Sequence, residues 1–99
     1  MIHPTSIVDK NAKISKNVEI GPYCIIGSKV EIEAGTKLHS HVYIKGKTKI
    51  GRNNEFFSFV SIGSPPQDLK YKGENNFIII GDNNKFREYV NINPGTSQG

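Results

Sequence analysis

Counted in sixes from Ile2, the chain carries an apolar residue at Val8, Ile14, Ile20, Ile26, Ile32, Leu38, Ile44, Ile50, Phe56 and Ile62 without a miss. The count fails at Asp68 and Glu74, then resumes in phase at Ile80, Phe86 and Ile92. With 35% of the residues apolar, an unbroken series from Ile2 to Ile62 arises by chance roughly once in 10⁵ for a given phase. The period therefore belongs to the fold. A helix requires apolar residues at spacings of three and four, and a half-buried strand requires alternation, so a period of six fits neither. It fits a short strand followed by a corner.

The position four residues after each aliphatic is restricted as well: Ser6, Ala12, Val18, Cys24, Val30, Thr36, Val42, Thr48, Asn54, Val60, Asn84, Val90 and Thr96. Small and β-branched side chains suit a crowded interior beside a larger neighbour. The position one residue after relaxes to glycine at Gly21, Gly27, Gly51, Gly63 and Gly81, which is expected to serve backbone angles that other residues resist. Three strand-and-corner units close a triangular coil of about 18 residues, stacked on the next at the 4.8 Å spacing of hydrogen-bonded strands. The pattern predicts an all-β parallel β-helix running from residue 1 to 99 as one repetitive unit.

These hexads of aliphatic, glycine or polar, two free positions and a small residue resemble the left-handed β-helix acyltransferases over essentially the whole chain. The left hand is implied by that resemblance, because parallel crossovers are ordinarily right-handed. The fold hosts several chemistries, so the hexads alone assign none.

The interruption is more informative. From Ser64 to Asn76 the chain is polar and contains Pro65 and Pro66. A continued coil would bury Asp68 and Glu74 unpaired, at a cost too great to accept, so a loop is expected to leave the coil around 64–76. The missed hexads span a full coil's worth of sequence, so the prism is expected to resume at Ile80 without changing face. An insertion of this length also occurs in solenoids as a tolerated surface loop.

The text of the loop, Gln67-Asp68-Leu69-Lys70-Tyr71-Lys72-Gly73, is followed by Gly81-Asp82-Asn83-Asn84 and by Asn93-Pro94-Gly95-Thr96. Together these are similar to the UDP-N-acetylglucosamine O-acyltransferase family. The resemblance implies transfer of a 3-hydroxyacyl chain from acyl carrier protein to the 3-hydroxyl of UDP-N-acetylglucosamine, the first step of lipid A synthesis. It also implies a homotrimer with active sites at the subunit clefts, no cofactor and no metal.

Carried over by resemblance, Gln67, Asp68 and Lys70 are the substrate contacts, with Tyr71 and Lys72 as weaker candidates that brace the loop. A carboxylate and a side-chain amide suit the hydroxyls and amide of a nucleotide sugar, and a lysine suits its diphosphate. The resemblance places the catalytic histidine in a coil beyond Gly99, together with later coils and a C-terminal helical domain. It therefore implies that this chain is about the N-terminal third of an enzyme and inactive alone. The hexad that stops at Gly99, which would leave an uncapped parallel edge, is expected on the same view. A hexapeptide acyltransferase with a different acceptor, or a non-enzymatic β-solenoid scaffold, would share the hexads without accounting for the charged loop string.

Composition refines this picture. Thirteen Lys and Arg against nine Asp and Glu give a net charge of +4. The lysines are scattered, which favours acidic partners without pointing to nucleic acid. Lys45, Lys47 and Lys49 read as a solvated face or as a docking patch for an acidic carrier protein. Cys24, the single cysteine, occupies a small interior position and reads as a buried structural thiol. His39 and His41 lack the spacing of a zinc site and read as surface residues, and His3 lies at the blunt end of the prism. Asn54 and Asn84 read as stacked asparagines bonding to corner backbone, while Arg87 and Glu88 either pair with one another or line the cleft. No leader opens the chain, and its longest aliphatic run, Phe77 to Ile80, is too short to span a bilayer, so a cytoplasmic protein is expected.

Overall fold

The computed structural model describes residues 1–63 and 77–93. These form a left-handed parallel β-helix with three flat flanks. Numbered in chain order, the first flank holds β1 (Ile7–Val8), β4 (Ile25–Ile26), β7 (Tyr43–Ile44), β10 (Ser61–Ile62) and β13 (Asn91–Ile92). The second holds β2 (Lys13–Ile14), β5 (Val30–Ile32), β8 (Lys47–Ile50) and β11 (Phe77–Ile80). The third holds β3 (Glu19–Ile20), β6 (Lys37–Leu38), β9 (Glu55–Phe56) and β12 (Lys85–Phe86). The chain visits the flanks in rotation, so each strand pairs in parallel with its counterpart in the neighbouring coil, on both sides in the middle of the stack and on one side at its ends.

Strands this short place one side chain outward and the next inward, and the hexad aliphatics are the inward set. Ile26, Ile32, Leu38, Ile44, Ile50, Phe56 and Ile62 are all at most 1% exposed. Phe56 and Phe86 stack on the third flank with ring centroids 4.7 Å apart. The small position fills the remaining space: Val18, Cys24, Val30, Thr36, Val42, Thr48, Asn54 and Val60 are buried. A prism this narrow has room for one large and one small side chain per flank, which is why composition repeats so strictly.

The register shows how the interruption is absorbed. Ile7 faces Ile25 and Ile14 faces Ile32, partners 18 residues apart, whereas Lys47 faces Phe77 and Ile62 faces Ile92, partners 30 residues apart. Twelve residues are thus added without disturbing the stack. Here the structure corrects the expectation that the prism resumes at Ile80 on the face it left. Ile62 lies on the first flank, and Ile80 pairs with Ile50 on the second. An insertion whose two ends meet at a single corner adds no rotation, so the flanks simply continue in order.

The glycines call for a second correction. On the second and third flanks a left-handed backbone position falls three residues after the inward apolar residue, at Asn17, Tyr23, Gly35, His41, Asn53, Phe59, Asn83 and Tyr89, with φ between 55° and 81°. Of the glycines one residue after an aliphatic, Gly63 has a positive φ, of 85°. Gly21 instead lies under the next coil, where a Cβ would come 2.6 Å from the carbonyl oxygen of His39. Close stacking, rather than corner geometry, selects glycine there.

Candidate site at the corner between the first and second flanks

Gln67, Asp68 and Lys70, together with Tyr71 and Lys72, lie outside the described residues. What is described is the frame from which that segment departs and to which it returns. Departure is at Gly63, which is buried and whose N–H donates to Ile92 O at 2.7 Å. Return is at Phe77, in register with Lys47. Between these lies the corner segment Lys45-Gly46-Lys47, where Lys45 N–H donates to Ile62 O at 2.9 Å and Thr48 Oγ1 donates to Lys45 O at 2.8 Å. Gly46 has a φ of 69°. The corner is thus pinned by backbone bonds on both sides of the insertion, and Lys45 and Lys47 are exposed beside it. Two ammonium groups at a rigid corner are suited to a phosphate-bearing ligand.

A polar ladder inside the prism ties the coil before the insertion to the coil after it. The Thr36 hydroxyl donates to Gly51 O at 2.8 Å, and Asn54 N–H donates to Thr36 Oγ1 at 3.2 Å. The Asn54 side-chain amide donates to Gly81 O at 2.7 Å and accepts from Asn84 N–H at 2.8 Å. Asn54 is 1% exposed. The stacked-asparagine reading holds for Asn54 as donor and acceptor, whereas Asn84 takes part through its backbone.

The histidines lie elsewhere. His3 Nδ1 is 2.9 Å from Thr5 Oγ1 and exposed. His39 Nε2 lies 2.6 Å from Glu55 Oε2, and this hydrogen bond holds the Glu55 carboxyl below its ordinary range, helped by Lys85 and Lys37. The His39 ring stacks on Phe57 at 4.6 Å, and the Arg87 guanidinium covers the Phe57 ring at 3.9 Å. Arg87 also pairs with Glu88 at 3.5 Å, which settles their relation in favour of pairing. His39 and His41 are partly buried rather than surface side chains. Among the described residues, no group of three or more His, Cys, Asp or Glu could hold a metal ion. Cys24 is fully buried, its Sγ 3.2 Å from His39 O, and burial pushes its thiol pKa up, as a structural thiol requires.

One feature was not anticipated. Tyr23, His41, Phe59 and Tyr89 stack along the edge between the third and first flanks, with centroids 5.2, 4.9 and 5.5 Å apart. All four have φ between 56° and 68°, a region that costs an L-residue about 1–2 kcal/mol. The opposite corner uses Asn and Gly at the equivalent positions, which enter that region cheaply. The signal was present as an aromatic or histidine every 18 residues from Tyr23 to Phe59, but the same count then points to Phe77, and the 30-residue step to Tyr89 is set by the insertion.

Among the described residues, no helix is long and apolar enough to cross a membrane. Residues 1–34 match the family model for bacterial transferase hexapeptide repeats. Three solved structures are similar over nearly the whole chain. A UDP-N-acetylglucosamine acyltransferase is 48% identical with a TM-score of 0.92, covering 100% of this chain and 38% of its own. LpxA from Acinetobacter baumannii is 57% identical with a TM-score of 0.91, over 96% of this chain and 37% of its own. UDP-N-acetylglucosamine O-acyltransferase from Moraxella catarrhalis is 52% identical with a TM-score of 0.91, over 98% of this chain and 38% of its own. This chain therefore spans less than two fifths of the length of these relatives. With a shared hexad repeat, a common fold and about half of its residues identical, the chain belongs to the UDP-N-acetylglucosamine acyltransferase family of hexapeptide-repeat proteins.

Proposed function

We propose that this chain is the N-terminal, sugar-binding part of a cytoplasmic enzyme that transfers a 3-hydroxyacyl chain from acyl carrier protein to the 3-hydroxyl of UDP-N-acetylglucosamine, opening lipid A synthesis. The observation that carries the reading is the coincidence of two things at one corner. The register lengthens from 18 to 30 residues where the string Gln67-Asp68-Leu69-Lys70-Tyr71 stands, in a chain 57% identical to an LpxA.

In the reaction, the sugar hydroxyl oxygen attacks the thioester carbonyl, the carbon–sulfur bond breaks, and the hydroxyl proton passes by way of a general base to the departing thiolate. Asp68 and Gln67 would hold the sugar by its hydroxyls and amide, with Lys70 against the diphosphate. The base is assigned to a histidine of a later coil. His39 is already engaged by Glu55 on the third flank, so the chain alone is expected to bind without turning over.

The same reading includes a homotrimer, and the first flank supports it. Its outward residues, Ile7, Ile25, Tyr43, Ser61 and Asn91, carry no charge, and the aromatic edge of Tyr23, His41, Phe59 and Tyr89 adjoins them. Strained, exposed aromatics beside an uncharged flank fit a protein interface. Sedimentation of the Ile25→Glu/Tyr43→Glu variant is expected to give monomer. A wild-type monomer would refute the trimer, and a trimeric variant would refute this interface.

Activity is tested in the full-length gene product, supplied with UDP-N-acetylglucosamine and a 3-hydroxyacyl-acyl carrier protein. Loss of a charge-assisted bond costs about 1.5–3 kcal/mol, so Asp68→Ala is expected to lower kcat/KM by roughly 10- to 150-fold. Normal turnover by the Asp68→Ala/Lys70→Ala variant would overturn the assignment, and preference for another nucleotide sugar would move it to a related acyltransferase.

A further inference from the structure

The three flanks differ in their outward chemistry, although they share one core. On the third, outward residues alternate in sign up the stack, Glu19, Lys37, Glu55, Lys85, and cancel. On the first they are uncharged. The second departs from both. One outward column runs Lys13, Glu31, Lys49, Ile79, and beside it Lys47 faces Phe77 while Lys29 lies one coil below, its carbonyl accepting from Thr48 N–H. Lys13, Lys29, Lys47 and Lys49 border a shallow depression of about 530 Å³ with Phe77 and Ile79 at its upper end. Among the described residues that line it, one carboxylate, Glu31, stands against these four ammonium groups. Phe77 and Ile79 are 61% and 68% exposed, both pointing outward from β11 where lysines occupy the register positions below.

Lysines on a flat flank carry their charge beyond the backbone on long stems. A planar array of them, ending in two exposed apolar side chains, is complementary to a surface that is anionic outside and apolar beneath. We propose that the second flank is a docking face for a membrane surface carrying anionic phospholipid headgroups, with Phe77 and Ile79 entering the headgroup boundary. The lysines supply attraction within a Debye length, and the apolar pair supplies the part that salt does not screen. The exposed apolar pair at the end of the lysine array favours a lipid surface, because lysines alone would serve any acidic partner whereas Phe77 and Ile79 need an apolar layer to enter.

The assay is co-sedimentation of the purified full chain with vesicles of phosphatidylcholine, with and without about 30% phosphatidylglycerol. It contains neither nucleotide sugar nor acyl donor, so its outcome is independent of the acyltransferase reading. Each lysine near an anionic leaflet is worth about a fivefold gain in partition, so a net three charges predict about a hundredfold preference for the anionic vesicles. The Lys47→Gln/Lys49→Gln variant should lose about 25-fold, and Phe77→Ser/Ile79→Ser at least about tenfold. Lys37→Gln/Lys85→Gln, with the same charge loss on the third flank, should change binding less than about threefold. Thermal melting of each variant separates lost binding from lost folding. The proposal is overturned if the wild type ignores anionic vesicles or if the two lysine pairs lose binding equally. Retention of an acidic carrier protein by the wild type but not by Lys47→Gln/Lys49→Gln, without vesicle binding, would assign the flank to a protein and overturn it as well.

Discussion

Replacing Asn54 by leucine keeps the volume of a buried side chain and removes its hydrogen bonding. Two bonds are lost, to Gly81 O at 2.7 Å and from Asn84 N–H at 2.8 Å. Neutral bonds contribute about 1 kcal/mol each net, and Gly81 and Asn84 are exposed, so water can recover part of the freed groups. The expected loss is about 2 kcal/mol, which for a chain of this size lowers the melting temperature by roughly 8–16 °C. Because both bonds reach across the insertion, the damage should be local. Hydrogen exchange is expected to accelerate from Ile80 to Val90 and to remain unchanged around β1 to β5. Melting is to be followed at fixed protein concentration, so that association does not shift the midpoint. Asn84→Ala is the control: it has the same sequence signature, but its side chain is exposed and its bond comes from the backbone, so it should stay within about 0.5 kcal/mol of wild type. A shift below about 3 °C for Asn54→Leu, or an equal shift for both variants, would refute the claim that this one amide clamps the two coils together.

Three further outcomes follow from the packing. Gly21→Ala should cost about 1–3 kcal/mol in urea unfolding, because its Cβ would meet rigid backbone 2.6 Å away, whereas Gly81→Ala, with nothing within 4 Å, should be neutral or slightly stabilising. Cys24 should react with a thiol reagent at pH 8 about 100-fold or more slowly in the native chain than in the unfolded one, and rapid native labelling would contradict its burial. Glu55 is held below the usual carboxylate range by His39, so its contribution is present above its unfolded pKa and is lost as pH falls through the lowered value. The melting difference between wild type and Glu55→Gln should therefore be seen near neutrality and vanish in acid, and a difference that grew towards low pH would invert the reasoning.

The sixfold count identified the large inward residue that each strand carries from Val8 to Ile92, because a prism this narrow leaves each hexad one place for a large side chain and no way to exchange it for a polar one; it missed Ile78, which packs on the core from the start of β11. The same count found where the coil breaks, since a buried Asp68 or Glu74 has no counterpart to pair with. It did not reveal on which flank the chain resumes: the count treats all three faces alike, and only the register of Ile80 against Ile50 distinguishes them. Nor did it separate the glycines that allow a left-handed corner from those that lie under the next coil, because the second constraint is set by a carbonyl 18 residues away.

What the sequence by itself determined is the period, and with it the core, the fold class and the family. What only the tertiary structure decided is what stands beside what on the outside: the alternating charges of one flank, the uncharged face and aromatic edge, the lysines beneath Phe77 and Ile79, and the partnership of His39 with Glu55. The physical reason is that inward positions are constrained one residue at a time by volume and water. Outward positions acquire meaning from neighbours one coil away, at a separation that the chain sets and the insertion changes.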